Sequence, residues 1–124
     1  MGYSLIVNVT PDIPFPKYPC EYIRVDVFDV GVTSQIKKMV LSFPKVTNSI
    51  KSAVDKGLRV LVHCNEGQQR SPTVLVAFLM DSKGYSVEEG MGTLVEMYPR
   101  AFSDGPPRFY QALQVWEMDI RNQT

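Results

Sequence analysis

Apolar residues recur at two different periods along this chain, and each change of period marks a new element. Residues 3–10 (YSLIVNVT) form a short, β-branched apolar run, which predicts a buried strand. Residues 11–19 hold four prolines and read as a loop. Residues 21–28 (EYIRVDVF) alternate: Tyr22, Arg24 and Asp26 face one way, and Ile23, Val25 and Val27 the other, as in a half-buried strand. A loop containing Gly31 follows. From Ser34 the period becomes helical, with Ile36, Met39, Val40 and Phe43 on one stripe. Pro44 interrupts that stripe and is expected to open a second helix, with the boundary at Ser42 or Phe43. Val46, Ile50, Ala53 and Val54 carry this second stripe to a stop at Gly57.

Residues 58–63 (LRVLVH) are apolar on both faces, which predicts a strand in the middle of a sheet. Residues 71–83 predict a nearly buried helix, with Pro72 in its first turn and Gly84 at its end. Ser86 and Glu89 have capping-box spacing for a further helix running to about Tyr98, where Pro99 stops it. After the turn SDGPP (residues 103–107), Phe109, Leu113, Trp116 and Ile120 recur at helical spacing, with Ala112 alongside. Strands alternating with helices predict an α/β fold with a mainly parallel central sheet flanked by helices. The 124 residues are read as one catalytic domain, 1–124, with neither repeats nor low-complexity segments.

Composition narrows the partners. Net charge is zero, so nothing favours nucleic acid or an acidic membrane surface. No apolar run approaches the ~20 residues that cross a bilayer, and the first residues lack the basic start and apolar core of a signal peptide. Cys20 and Cys64 are too few for a disulfide framework, so a reducing compartment is expected, cytoplasmic or nuclear. His63, the only histidine, adjoins Cys64 without a second cysteine pair at ligand spacing, so a zinc site is not supported.

The chemistry concentrates in VLVHCNEGQQRSPT, residues 60–73. This loop follows a strand and feeds a helix, and ligands of open α/β sheets lie beyond the carboxyl ends of strands. A helix N-terminus offers unpaired N–H groups and partial positive charge. If the loop curls, the amides of Asn65, Glu66, Gly67, Gln68, Gln69 and Arg70 converge on one point, with Gly67 relieving the steric limit, and form a cradle for a phosphate dianion. Cys64 at its mouth is placed as a nucleophile, since such a setting favours thiolate. The planar fork of Arg70 suits two phosphate oxygens and the charge of a transition state. The Ser71 hydroxyl can donate to the sulfur. Glu66 would repel a phosphate and is expected to point outward.

A thiolate attacking phosphate also needs an acid for the departing oxygen. Asp29, in the glycine-containing loop just past the alternating strand, is the first choice, and Asp26 on the strand's polar face is the rival. His63 and Cys64 diverge from a strand, so a Cys–His protease pair does not fit. His63 is expected to support the loop through hydrogen bonds to its backbone. Cys20 reads as an inert thiol, with a disulfide to Cys64 under oxidation as the lesser alternative.

Residues 63–71, HCNEGQQRS, match H-C-x-x-G-x-x-R-S, which resembles the cysteine-based protein tyrosine phosphatase superfamily and most closely the small, atypical dual-specificity phosphatases. LRVLVHC, SPTVLVAFLM and YIRVDVFD extend the likeness over nearly the whole chain, with Asp29 at the position of the family's general acid. The resemblance implies two steps: Cys64 attacks phosphorus while Asp29 protonates the leaving hydroxyl, then Asp29 acts as base for water that hydrolyses the phosphocysteine. It implies no metal or organic cofactor. Arg100 resembles a position where relatives hold an arginine near the site, either contacting a second acidic group on the substrate or standing as a solvated charge.

The family's domain usually begins with a further strand and short helix, whereas this chain starts almost at the 3–8 segment, which bears on pocket depth. Gln68 and Gln69 are unusual in the loop. Neither is basic, which argues against the phosphoinositide substrates of lysine-bearing relatives. The expected function is a protein phosphatase for phosphotyrosine and phosphoserine/threonine. The alternatives are a phosphatase of RNA 5′ ends, phosphoinositides or phosphoglycans, and a catalytically weak module that binds phosphorylated partners.

Overall fold

The computed structural model describes residues 2–123. Its elements are β1 (Leu5–Asn8), β2 (Glu21–Arg24), α1 (Thr33–Asp55), β3 (Val60–His63), α2 (Arg70–Lys83), α3 (Val87–Met97) and α4 (Tyr110–Arg121). The three strands form a parallel sheet in the order β2-β1-β3, with Leu5 opposite both Glu21 and Val60. All three run the same way, so the loops that follow them open at one end of the sheet.

Alternation decides the core. Leu5, Val7 and Val9 from the β1 segment, with Ile23, Val25 and Val27 after them, turn one face into a cluster with Met39, Phe43, Val46 and Ile50 of α1. Val74, Ala77 and Met80 of α2 and Leu113 and Trp116 of α4 complete it. The Trp116 ring lies 5.6 Å from that of Phe43 and donates its indole N–H to the Ala77 carbonyl at 3.0 Å, so its one polar atom is satisfied in the interior. The β2 ladder is shorter than the alternation suggests. Only Glu21–Arg24 pair as a strand, yet burial still alternates through Val27.

Two expectations are overturned. Pro44 does not divide the helical region, because α1 runs unbroken for 23 residues with Pro44 inside it. A proline in a helix interior costs about 3 kcal/mol. Met39 and Phe43 before it, and Val46 and Ile50 after it, lie on one buried face, and burying four such side chains stabilises by more than that, at ~1.5–3 kcal/mol each. Nearby hydroxyls also take up helix carbonyls: Ser42 donates to Met39 O at 2.6 Å and Thr47 to Phe43 O at 2.7 Å. Second, β3 is not central. It borders the described sheet, and β1, buried at every position, is the middle strand. All four β3 residues are half-buried, with α1 and α2 both packed against the strand, so its apolar residues reflect helix cover and not strands on both edges.

The α3 cap follows expectation. Ser86 accepts from the Glu89 amide at 3.1 Å while Glu89 accepts from the Ser86 amide at 2.9 Å. Gly84 ends α2 in the left-handed region, at φ 72°.

Candidate active site

β3 delivers Cys64 to the end of the sheet, and the next residues bend sharply before α2 begins at Arg70. Gly67 makes the bend with φ 71°, a left-handed value that costs a side-chain-bearing residue about 1–2 kcal/mol. Its Cα also faces Tyr98, where an added Cβ would lie 2.9 Å from the phenol oxygen.

The loop's polar groups are sorted by side. Its carbonyls are taken from outside: Glu66 O by Arg100 Nη2 at 3.0 Å, Gln68 O by the Phe102 amide at 2.7 Å, and Gln69 O by the Thr73 amide and hydroxyl at 3.0 and 2.7 Å. Among the described residues no acceptor takes the amides of Asn65, Glu66, Gly67, Gln68, Gln69 or Arg70. Six consecutive donors at a helix N-terminus therefore stay available to an anion.

The Cys64 sulfur is anchored on the next turn. It lies 3.2 Å from the Ser71 hydroxyl oxygen and accepts the Ser71 amide at 3.4 Å. Arg70 is buried, and its Nη1 donates to Val27 O at 3.0 Å, which ties the loop to the segment leading into Asp29. The Arg70 Nε–H is buried with no partner. Buried donors are rarely left unpaired, because desolvation without a hydrogen bond costs about 1–3 kcal/mol. An oxyanion would satisfy it. Among the described residues no three His, Cys, Asp or Glu side chains gather as a metal site.

Asp29 follows a fixed approach. The buried Gln35 of α1 accepts the Phe28 amide at 2.8 Å and pins the chain just before it. Its carboxylate, half-buried, pairs with Arg108 at 3.4 Å. Asp26 instead meets Lys38 at 3.7 Å in solvent, the ordinary surface arrangement. Glu66 is exposed and lies on the wall of a cleft beside Cys64. His63 lines a cleft beside the loop, but its ring makes no hydrogen bond among the described residues, unlike the supporting bonds expected of it. Arg100 braces the loop through Glu66 O.

Cys20 lies just before β2, at the far end of the sheet from Cys64. Four strand residues at ~3.3 Å each separate them along the strands alone, far beyond a disulfide's reach of ~4.4–6.8 Å between Cα atoms. Both thiols are free.

The two glutamines face away from the cradle. Gln68 Nε2 reaches Ser103 at 3.3 Å. Gln69, 1% exposed, donates to Asp104 at 2.8 Å and Pro106 O at 3.3 Å and accepts the Arg108 amide at 2.8 Å. The sequence reading missed Gln35, Asp104 and Arg108. The polar pair QQ inside an otherwise functional loop was the available signal that something outside it had to be held.

A cleft of about 440 Å3 reaches Cys64 from the β3 side, between Leu61, His63, Leu75 and Tyr98. Cys64, Asn65, Glu66, Gly67 and Ser71 also line it, whereas Arg70 and Asp29 are not among its walls, so it takes in the first half of the loop and not the acid's side.

A parallel sheet ending in a C-x₅-R loop on a helix N-terminus defines the cysteine-dependent phosphatase class. The chain belongs to the dual specificity phosphatase catalytic-domain family, whose model matches residues 1–118. Human dual specificity phosphatase 28 is 29% identical over 124 residues, covering 99% of this chain and 67% of its own length. The crystal structure of human DUSP28 superposes with a TM-score of 0.86 at 28% identity, over 99% of this chain and 82% of that one. A mouse putative dual specificity phosphatase complexed with zinc tungstate gives 0.83 at 29% identity, over 98% and 74%. Protein-tyrosine-phosphatase IBR5 of Arabidopsis thaliana is 38% identical over 81 residues, 65% of this chain but only 31% of its own length. The chain likewise spans 58% of putative tyrosine phosphatase 123R of Invertebrate iridescent virus 6.

Proposed function

We propose that this protein hydrolyses phosphotyrosine and phosphoserine/threonine in proteins through a phosphocysteine intermediate. The observation that carries the reading is the orphaned, buried Nε–H of Arg70 beside six unspent amides and a sulfur anchored by Ser71. The amides and guanidinium hold the phosphate oxygens. The Cys64 thiolate attacks phosphorus, the bond to the substrate oxygen breaks, and Asp29 gives that oxygen its proton. Water then attacks the phosphocysteine and Asp29 takes its proton. The thiolate departs, stabilised by the Ser71 hydroxyl, and inorganic phosphate is released. The mouse relative's complex with tungstate, a tetrahedral oxyanion, supports anion capture by this fold. A working thiolate suits a reducing compartment such as the cytoplasm. Among the described residues no helix is long and apolar enough to cross a membrane.

Turnover of p-nitrophenyl phosphate and a phosphopeptide panel by wild type, Cys64→Ser and Asp29→Asn tests this. Cys64→Ser is expected to abolish turnover and keep binding. Asp29→Asn is expected to slow peptide hydrolysis more than hydrolysis of the aryl phosphate, whose leaving group needs less acid. Residual turnover by Cys64→Ser refutes the nucleophile, and equal losses by Asp29→Asn on both substrates refute the acid. Peptides left untouched while phosphoinositides, phosphoglycans or RNA 5′ ends turn over would replace the protein substrate.

A further inference from the structure

Arg108 is exposed, yet it is held to Gln69, Asp104 and Asp29, and its main chain passes close to Gly31. Its amide donates to Gln69 Oε1 at 2.8 Å. Its Nη2 pairs with Asp104 at 3.1 Å, and Asp104 is itself held by Gln69 Nε2 at 2.8 Å. Its Nη1 reaches both carboxylate oxygens of Asp29, at 3.4 and 3.5 Å. Its backbone carbonyl lies against Gly31, where a Cβ would come within 2.8 Å, so the loop carrying Asp29 follows the Arg108 main chain closely. A free surface ion pair contributes little, because two long side chains must be ordered to make it. Here that ordering is supplied in advance by Gln69, a buried member of the phosphate loop. The Gln69 amide and, after it, Arg108 also hold the Asp104 carboxyl below the usual carboxylate range, against the opposing effect of its burial, so the bracing charge persists.

We propose that Arg108 is a positioning residue for Asp29, locking the acid loop to the phosphate loop through Asp104 and Gln69. This rests on the reading of Asp29 as the acid. Without Arg108 the carboxyl samples positions out of reach of the leaving oxygen, and only substrates that need the acid suffer.

The test is steady-state kinetics of Arg108→Gln, Arg108→Lys and Asp104→Asn on a phosphotyrosine peptide and p-nitrophenyl phosphate, alone and in Asp29→Asn. Trp116 emission verifies that each variant is folded. Arg108→Gln is expected to lower kcat on the peptide about tenfold at unchanged KM and to leave p-nitrophenyl phosphate within about twofold. Arg108→Lys restores most of the loss, Asp104→Asn gives a smaller loss with the same substrate bias, and Arg108→Gln adds nothing in Asp29→Asn. Equal losses on both substrates, a change confined to KM, or a further loss in Asp29→Asn overturns the proposal. If instead Asp29→Asn alone leaves peptide turnover intact, the acid assignment has failed before Arg108 is in question.

Discussion

The Ser71 hydroxyl oxygen lies 3.2 Å from the Cys64 sulfur, and the amide of the same serine donates to that sulfur at 3.4 Å. One residue thus offers the sulfur two donors, and a side-chain change removes only one. Ser71→Ala is expected to impair departure of the thiolate more than attack by it. Rapid mixing with p-nitrophenyl phosphate should then show a burst of about one p-nitrophenol per enzyme, followed by steady turnover slowed about ten- to a hundredfold. A slow linear time course without a burst would place the effect on the first step.

Arg70 has one end of its guanidinium committed and another spare, since Nη1 holds Val27 O while Nε is buried and unpaired. Lysine keeps the charge and loses the fork. Arg70→Lys is expected to lower kcat/KM by at least about 10²–10³-fold, the cost of removing a donor aimed at a developing oxyanion. Isothermal titration with vanadate should show weakened binding in parallel. Unchanged vanadate affinity would mean that the guanidinium does not reach the oxyanion.

Gly67 combines a positive φ with a near neighbour. Gly67→Ala is expected to destabilise by about 1–2 kcal/mol from backbone strain alone, read as a lower Tm, and to reduce turnover because the amides no longer converge. Adding Tyr98→Phe removes the oxygen that the new methyl meets and should recover part of the Tm while leaving the φ strain. Full recovery would show that crowding, not backbone conformation, requires the glycine.

The brace around Asp104 makes stability depend on pH. Its carboxyl ionises below its ordinary range when folded, chiefly because Gln69 donates to it. The folded state therefore binds the proton less readily than the unfolded chain. Its contribution is fully present above the unfolded pKa, near ~3.9, and is lost as pH falls through the lower folded value. Asp104→Asn should be less stable than wild type at neutral pH, with the gap closing below about pH 4 in urea titrations. A gap independent of pH would trace it to packing.

Much of the site was legible because its chemistry is local. Cys64, Gly67, Arg70 and Ser71 lie within eight consecutive residues, and a strand, a bend and a helix start are enough to bring them together. The preference for Asp29 over Asp26 rests on its place in a glycine-containing loop past the strand, while alternation puts Asp26 on a solvent face, where Lys38 meets it. The partners of the two glutamines could not be read. Gln69 and Asp104 are 35 residues apart, and nothing in the spacing says that a turn with two prolines folds back over the loop. Pro44 was misjudged because local propensity was weighed without the core, although residues 39, 43, 46 and 50 keep one helical face straight through it.

By itself the sequence determined most of the elements, their buried faces and the C-x₅-R loop between a strand and a helix, since these follow from side-chain period and from residue types carried within a few positions. Only the tertiary structure decided that β1 is the middle strand, that α1 stays whole across Pro44, and that Arg108 meets Asp29 from 79 positions away. Each of those depends on which surfaces meet when the chain collapses, and the energy of such contacts is a property of the pair, not of either segment alone.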